Sequence, residues 1–325
     1  MARTGLTPKV SPYGNAAGRT FAPGITAFGS IWTSGCTAGQ VDSASGKTMV
    51  VGTLVEQARI ALDKIRLVLD AAGLPLTDIR AMMQYVPPAA LPDMPKLFEM
   101  YREAFGGNLP VINTIVVKSL LRGRALIEIE AVAGKGPITE IEYLPGATGK
   151  DRSEAGAKAL EALTQRGLSW ADVMKTTELM TAAALAAGPA QAAAKNGGLQ
   201  VVMPCIADAN AGAQVQLAAT RNRDNPVICL SAEANPAVGG VAEQCREIYE
   251  RLGRQLLSLG SSLQSVVKTT EFVTPEGIGD YRRTADVRRE VFEAPYPAAT
   301  GVICDRLADP SAQISVEVIA VRESP

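Results

Sequence analysis

Glu128 is the residue whose surroundings best suit it to move a proton. It stands in Ala125-Leu-Ile-Glu-Ile-Glu-Ala-Val-Ala133, between apolar Ile127 and Ile129. On a strand it therefore faces away from the side those two bury. A carboxylate in a half-buried cleft can be tuned to act as a general base near neutral pH. Ser34-Gly35-Cys36 closes an extended stretch of small residues. A glycine there lets a ligand approach backbone N–H groups, an anion site that needs no side chain. Cys36 adds a thiol, with no neighbouring base in the sequence to activate it. Asn113, Thr114 and Lys118 lie on a Val/Ile-rich segment, and Lys118, Arg122 and Arg124 place three cations about the Arg122-Gly123 turn. Each feature also has an ordinary reading: a solvated strand glutamate, a tight turn, solvated turn charges.

The chain has no histidine. That excludes Ser-His-Asp and Cys-His catalysis, imidazole acid–base work and most catalytic zinc sites. The net charge is −1 with a pI of about 5.8, and no lysine/arginine block is present, so nucleic acid is a poor partner. The first twenty residues show no signal-peptide core and no apolar run could span a bilayer, which predicts a cytoplasmic protein off the membrane. Five cysteines (36, 205, 229, 245 and 304) without a CxxC fit reduced thiols better than disulfides. Cys205 and Cys304 read as equivalent strand positions, filled by Val117 in the first third of the chain. No metal or cofactor site is expected.

The elements that must position these residues recur along the chain. Val173-Met-Lys-Thr-Thr-Glu-Leu-Met-Thr181 and Val266-Val-Lys-Thr-Thr-Glu-Phe-Val-Thr274 lie 93 positions apart, with a looser copy at Ile79–Pro87. Glu56-Gln57 and Glu243-Gln244, Gly73 and Gly260, and Ala125–Ala133 and Ala312–Ala320 all share an offset of 187. Ala213-Gln-Val-Gln-Leu-Ala-Ala-Thr220 is the middle counterpart, which aligns Gln216 and Ser315 with Glu128. Repeats of about a hundred residues read as duplicated small domains. The predicted organisation is an extension (1–21) and repeats at 22–136, 137–224 (shortened) and 225–325.

Within the first repeat, Leu54, Ala58, Ala61, Ile65 and Val68 form one helical stripe, as do Val241, Cys245, Ile248, Leu252 and Leu256 in the third. A strand at 79–86, a helix at 92–105, and strands at 111–120 and 124–133 joined by an Arg122-Gly123 turn complete a β-β-α-β-α-β-β unit. The fold class is α+β, helices covering one sheet face. The other face, expected to be apolar, would be buried by closing three units into an intramolecular pseudo-trimer. A monomer or a low-order homo-oligomer follows. Lys175 and Lys268 are expected to serve the strand end or the contacts between units, and Glu130 and Glu317 to be structural or surface residues.

Trp32-Thr-Ser-Gly35, Glu56-Gln57, Gly73-Leu-Pro-Leu-Thr-Asp-Ile79, Tyr85-Val86 and Ala125–Ala133 together resemble the Rid (YjgF/L-PSP) superfamily, usually homotrimers of one such chorismate-mutase-like unit. The resemblance spans nearly all of the first repeat, the second from about Leu168 and the third from Glu243. It implies a small-molecule enzyme that hydrolyses or deaminates a C–N or C=N bond in an inter-unit cleft, with Glu128 orienting water or acting as base. Ser34, Gly35, Cys36, Asn113, Thr114, Lys118 and Arg124 are the implied substrate contacts. The arginine that follows Pro-Ala in the family is replaced by Ile112 after Pro110 and by Ala299 after Pro297. Chorismatases, which also resemble fused Rid trimers, and a non-catalytic metabolite binder are the alternatives.

Overall fold

The computed structural model describes residues 3–14, 18–42, 45–186 and 198–322. In chain order, strands β1 (Gly24–Ala27), β2 (Ser30–Thr33) and β3 (Cys36–Thr37) precede helix α1 (Leu54–Asp70), β4 (Ile79–Val86), α2 (Met94–Ala104), β5 (Val111–Val116), β6 (Ser119–Leu120) and β7 (Glu128–Gly134). Next come β8 (Ala147–Gly149), α3 (Arg152–Gln165), β9 (Val173–Met180), β10 (Leu199–Val202) and β11 (Ala213–Ala219). Last are β12 (Val227–Glu233), α4 (Val241–Ser258), β13 (Val266–Val273), α5 (Thr284–Val291), β14 (Ala298–Ile303), β15 (Arg306–Leu307) and β16 (Ile314–Val321).

Three sheets share one plan. A central strand (β4, β9, β13) pairs antiparallel with the last strand of its sheet (β7, β11, β16). It pairs parallel with the strand after its crossover (β5, β10, β14). The three central strands carry the recurring nonapeptide. The sheets also lend strands to one another: β6 adds to β14 of the third sheet, and β15 adds to β10 of the second. The segment 111–120 is thus not one strand. It breaks at Val117–Lys118, where the Lys118 N–H donates to Ile303 O. Nor do β5 and β7 form a hairpin about Arg122-Gly123, since β4 lies between them.

The helices cover one face of the sheets. Thr53 and Glu56 form a capping box at the start of α1, and the α1 and α4 stripes are buried as their spacing requires. The paired Glu-Gln motifs have a structural cause. Gln57 accepts from Leu126 N–H at 2.8 Å and donates to Gly52 O, and Gln244 does the same with Gln313 and Gly239.

The opposite faces meet one another and are not simply apolar. Tyr85, Leu179 and Phe272, one from each central strand, lie in a shared apolar cluster, and a second cluster forms around Trp32, Ile141, Val227 and Ile319. Between these lie two buried ion pairs that bridge sheets, Lys175–Glu317 (2.6 Å) and Lys268–Glu130 (2.7 Å). Glu130 and Glu317 are therefore interior residues, not surface ones. Burying a charge is tolerable only when it is matched. At the third junction the corresponding positions are Ala81 and Gln216, which line a cavity of about 60 Å³. The Gln216 Oε1 there is buried with no hydrogen-bond partner.

Candidate functional site

The ladder between β7 and its flanking strands slips by one residue. Val132 faces Trp32 on β2, whereas Ile129 faces Cys36 on β3, so the flanking chain carries one extra residue across Thr33–Gly35. Such a bulge re-aims the backbone it interrupts. Here it presses Gly35 toward Glu128: a Cβ on residue 35 would lie 2.1 Å from Glu128 Oε1 and 2.8 Å from Thr300 Oγ1. Only glycine leaves room for both oxygens.

Glu128 opens β7, between Thr37 and Tyr85 on the neighbouring strands. It is 8% exposed, and among the described residues no hydrogen bond reaches its carboxyl group. Burial, then the negative charge of Glu130, push that carboxyl up to about 8, against the pull of Lys268, Arg122 and Lys64. Across the cleft, on the third sheet, the Lys268 ammonium donates to Thr33 O (2.9 Å) and Thr300 Oγ1 (2.7 Å) while pairing with Glu130. The Thr300 hydroxyl in turn donates to Glu130. A carboxyl without a hydrogen-bond partner, raised above the usual carboxylate range by burial, thus sits beside a saturated charged network.

The other predicted site residues divide. Ser34 lies beside Glu128's glycine, but it latches the first sheet to the third: its hydroxyl donates to Ala22 O and accepts from Ala299 N–H. The Gly35 N–H donates to Ala299 O, so the expected open backbone donor is already engaged. Cys36 is fully buried, 3.0 Å from the Tyr13 hydroxyl, and burial pushes its thiol up to about 11. That makes it a poor nucleophile. Asn113 faces the second sheet's chain, donating to Leu144 O and accepting from Gly146 N–H. Thr114 is on the helix-side face, bonded to Gln84. Lys118 pairs with Asp305, and Arg124 is an exposed turn residue with φ +68°. None of these last four joins Glu128.

Four contributors were not singled out as site residues: Thr300, Lys268, Tyr13 and Lys64. The shared lysine of the nonapeptides was the one available signal. Tyr13 donates to Ser34 O and, with Thr37, Lys64 and Arg122, lines a groove of about 550 Å³. The Lys64 ammonium donates to Thr37 O, and Arg122 has no hydrogen bond or ion pair among the described residues. The ladder also corrects two alignments. Gln214, which faces Leu179 and Thr148, corresponds to Glu128, and Gln216, facing Thr177, corresponds to Glu130. Met203, whose N–H donates to Met180 O, corresponds to Val117 and Cys304, not Cys205.

The family profile described as Endoribonuclease L-PSP matches residues 16–135 and 228–322. A rat protein named 2-iminobutanoate/2-iminopropanoate deaminase is 36% identical over 99 residues, 30% of this chain and 69% of that protein. A RutC family protein from Pyrococcus horikoshii is 36% identical over 100 residues, 30% and 76% respectively. Among solved structures, a Rid-family protein of unknown function from Yersinia pestis is 24% identical, covering 41% of this chain and 100% of its own at a TM-score of 0.35. No helix among the described residues is long and apolar enough to cross a membrane.

Proposed function

The chain belongs to the Endoribonuclease L-PSP (Rid) family, and from that premise we propose that it is a three-unit Rid-like enzyme. It closes on itself as a pseudo-trimer and hydrolyses a C=N bond of a small metabolite between its first and third sheets. The observation that carries this reading is Glu128: buried and without a hydrogen-bond partner, at the bulge where two sheets meet, its carboxyl pushed up by burial and by Glu130. The deaminase name borne by relatives supports the reaction class.

The raised pKa turns the expected base into an acid first. Glu128 gives its proton to the imine nitrogen, and the carboxylate left behind takes one from water as the water oxygen adds to carbon. Returning that proton to nitrogen breaks the C–N bond. Ammonia leaves, the carbonyl forms, and its hydroxyl proton restores the Glu128 carboxyl. Ala299 supplies no cation on the far side of the cleft. Arg122, which lines the groove with Lys64, is the residue we assign to a substrate carboxylate.

The test is 2-iminobutanoate hydrolysis, generated in a coupled assay, by wild type and Glu128→Gln. Glutamine keeps the shape but transfers no proton, so kcat/KM should fall at least ~100-fold. The wild-type rate should decline as pH rises through about 8. A fully active Glu128→Gln enzyme would refute the assignment.

A further inference from the structure

The cleft between the first and second sheets repeats the backbone build of the Glu128 site. The flanking chain again carries one extra residue: Tyr143 faces Ala218, but Ala147 faces Val215. The bulge again holds a glycine. A Cβ on Gly146 would lie 2.2 Å from Gln214 Nε2, as one on Gly35 would lie 2.1 Å from Glu128 Oε1. Thr148 faces Gln214 as Thr37 faces Glu128. Lys158 Nζ donates to Thr148 O at 3.0 Å, as Lys64 Nζ donates to Thr37 O at 2.9 Å. The glycine N–H again donates across the junction, here to Asn113 Oδ1. The junction of the second and third sheets lacks this build: β12 runs against β16 with no slip, and Ser315 faces Glu233.

We propose that this cleft is a second small-molecule site on the same backbone plan, silenced by the exchange of carboxyl for carboxamide at Gln214, with Gln216 and Ala81 standing where the first site has Glu130 and Lys268. Gln214 is 7% exposed, as buried as Glu128. Its amide can hold a ligand's acceptor but gives up no proton at neutral pH. The rim differs in sign. Asp208, which accepts from the Thr148 hydroxyl at 3.0 Å, occupies the turn position that Arg122 has in the first cleft. The native cleft therefore takes an uncharged or amine-bearing molecule and repels the carboxylates the first one takes. The catalytic part rests on the role given to Glu128 above; the structural part does not.

Two measurements separate these parts. In Glu128→Gln/Gln214→Glu, the introduced carboxyl is titrated by carbon NMR with labelled glutamate, against Glu128→Gln as the spectral reference. A twin of the first site raises it by two units or more above a model glutamate; an ordinary value overturns the proposal whatever the enzyme does. Asp208→Arg is then added, and 2-iminobutanoate hydrolysis is compared with Glu128→Gln. A tenfold or greater regain is expected. With a raised carboxyl and an inactive Glu128→Gln parent, absence of regain overturns the catalytic part. A Glu128→Gln parent as active as wild type instead refutes the reading of the first cleft and leaves the NMR result to decide the second.

Discussion

Glu128 couples the site to stability. Its carboxyl is raised from the ordinary carboxylate range to about 8, chiefly by burial and then by Glu130. For an acid whose folded pKa is raised, the folded state prefers the proton. Stability is then fully present below the unfolded value and is lost as pH climbs through the folded one. The wild type should weaken between about pH 4.5 and 8, and Glu128→Gln, with nothing to ionise, should not. The variant's melting temperature relative to wild type should therefore rise from pH 5 to pH 9, and a difference that stays flat across that range would show the carboxyl to be unshifted. The sequence displayed this residue's place on its strand, through its alternation with isoleucines. It could not display the protonation state, which depends on Glu130, Lys268 and solvent exclusion brought from elsewhere. The alignment of its middle counterpart failed for a definable reason. Side chains on a strand repeat every two residues, so a shift of two leaves every face unchanged. Gln214 and Gln216 fit the same pattern, and only the ladder distinguishes them.

At the scale of elements, the bulge before β3 makes the site. Gly35→Ala would drive a methyl group into Glu128 Oε1 and Thr300 Oγ1. Overpacking of this kind costs about 1–3 kcal/mol. We expect that loss in urea denaturation, together with loss of most imine hydrolysis; an alanine variant with wild-type turnover would remove the bulge from the mechanism. The helices, the central strands and the helix stripes were readable because periodicity and capping act locally. The strand at 111–120 was not, because its break is caused by a partner nearly two hundred residues away, the Ile303 carbonyl that receives Lys118 N–H. The inter-sheet face was misjudged for a related reason. The lysines can be placed near the contacts, but the glutamates cannot be told from surface residues until the sheet that supplies their counter-charge is present.

For the whole molecule, the two inter-sheet ion pairs and the vacant third place bear on the proposed threefold plan. Ala81 and Gln216 stand where the other junctions hold lysine and glutamate, so both halves of that pair have been neutralised together. If the correspondence is right, Ala81→Lys and Gln216→Glu should each destabilise, since each buries a charge lacking its partner, at about 3–5 kcal/mol for a fully uncompensated one. The double variant should recover part of the loss, with a favourable coupling of about 0.5–3 kcal/mol from a double-mutant cycle. Strictly additive effects would mean that the two positions do not meet as the other pairs do.

The lent strands set a limit on how the chain can be divided. Ser119–Leu120 leaves the first sheet to finish the third, and Arg306–Leu307 leaves the third to finish the second. A fragment cut at the boundaries of a unit would keep its helices and most of its core. It would also expose the raw edge of β10 or β14, the kind of unpaired backbone that recruits other chains into aggregates. Excising one unit to obtain a smaller protein would thus yield a template for association, unless the borrowed dipeptide were grafted back beside the strand it protects.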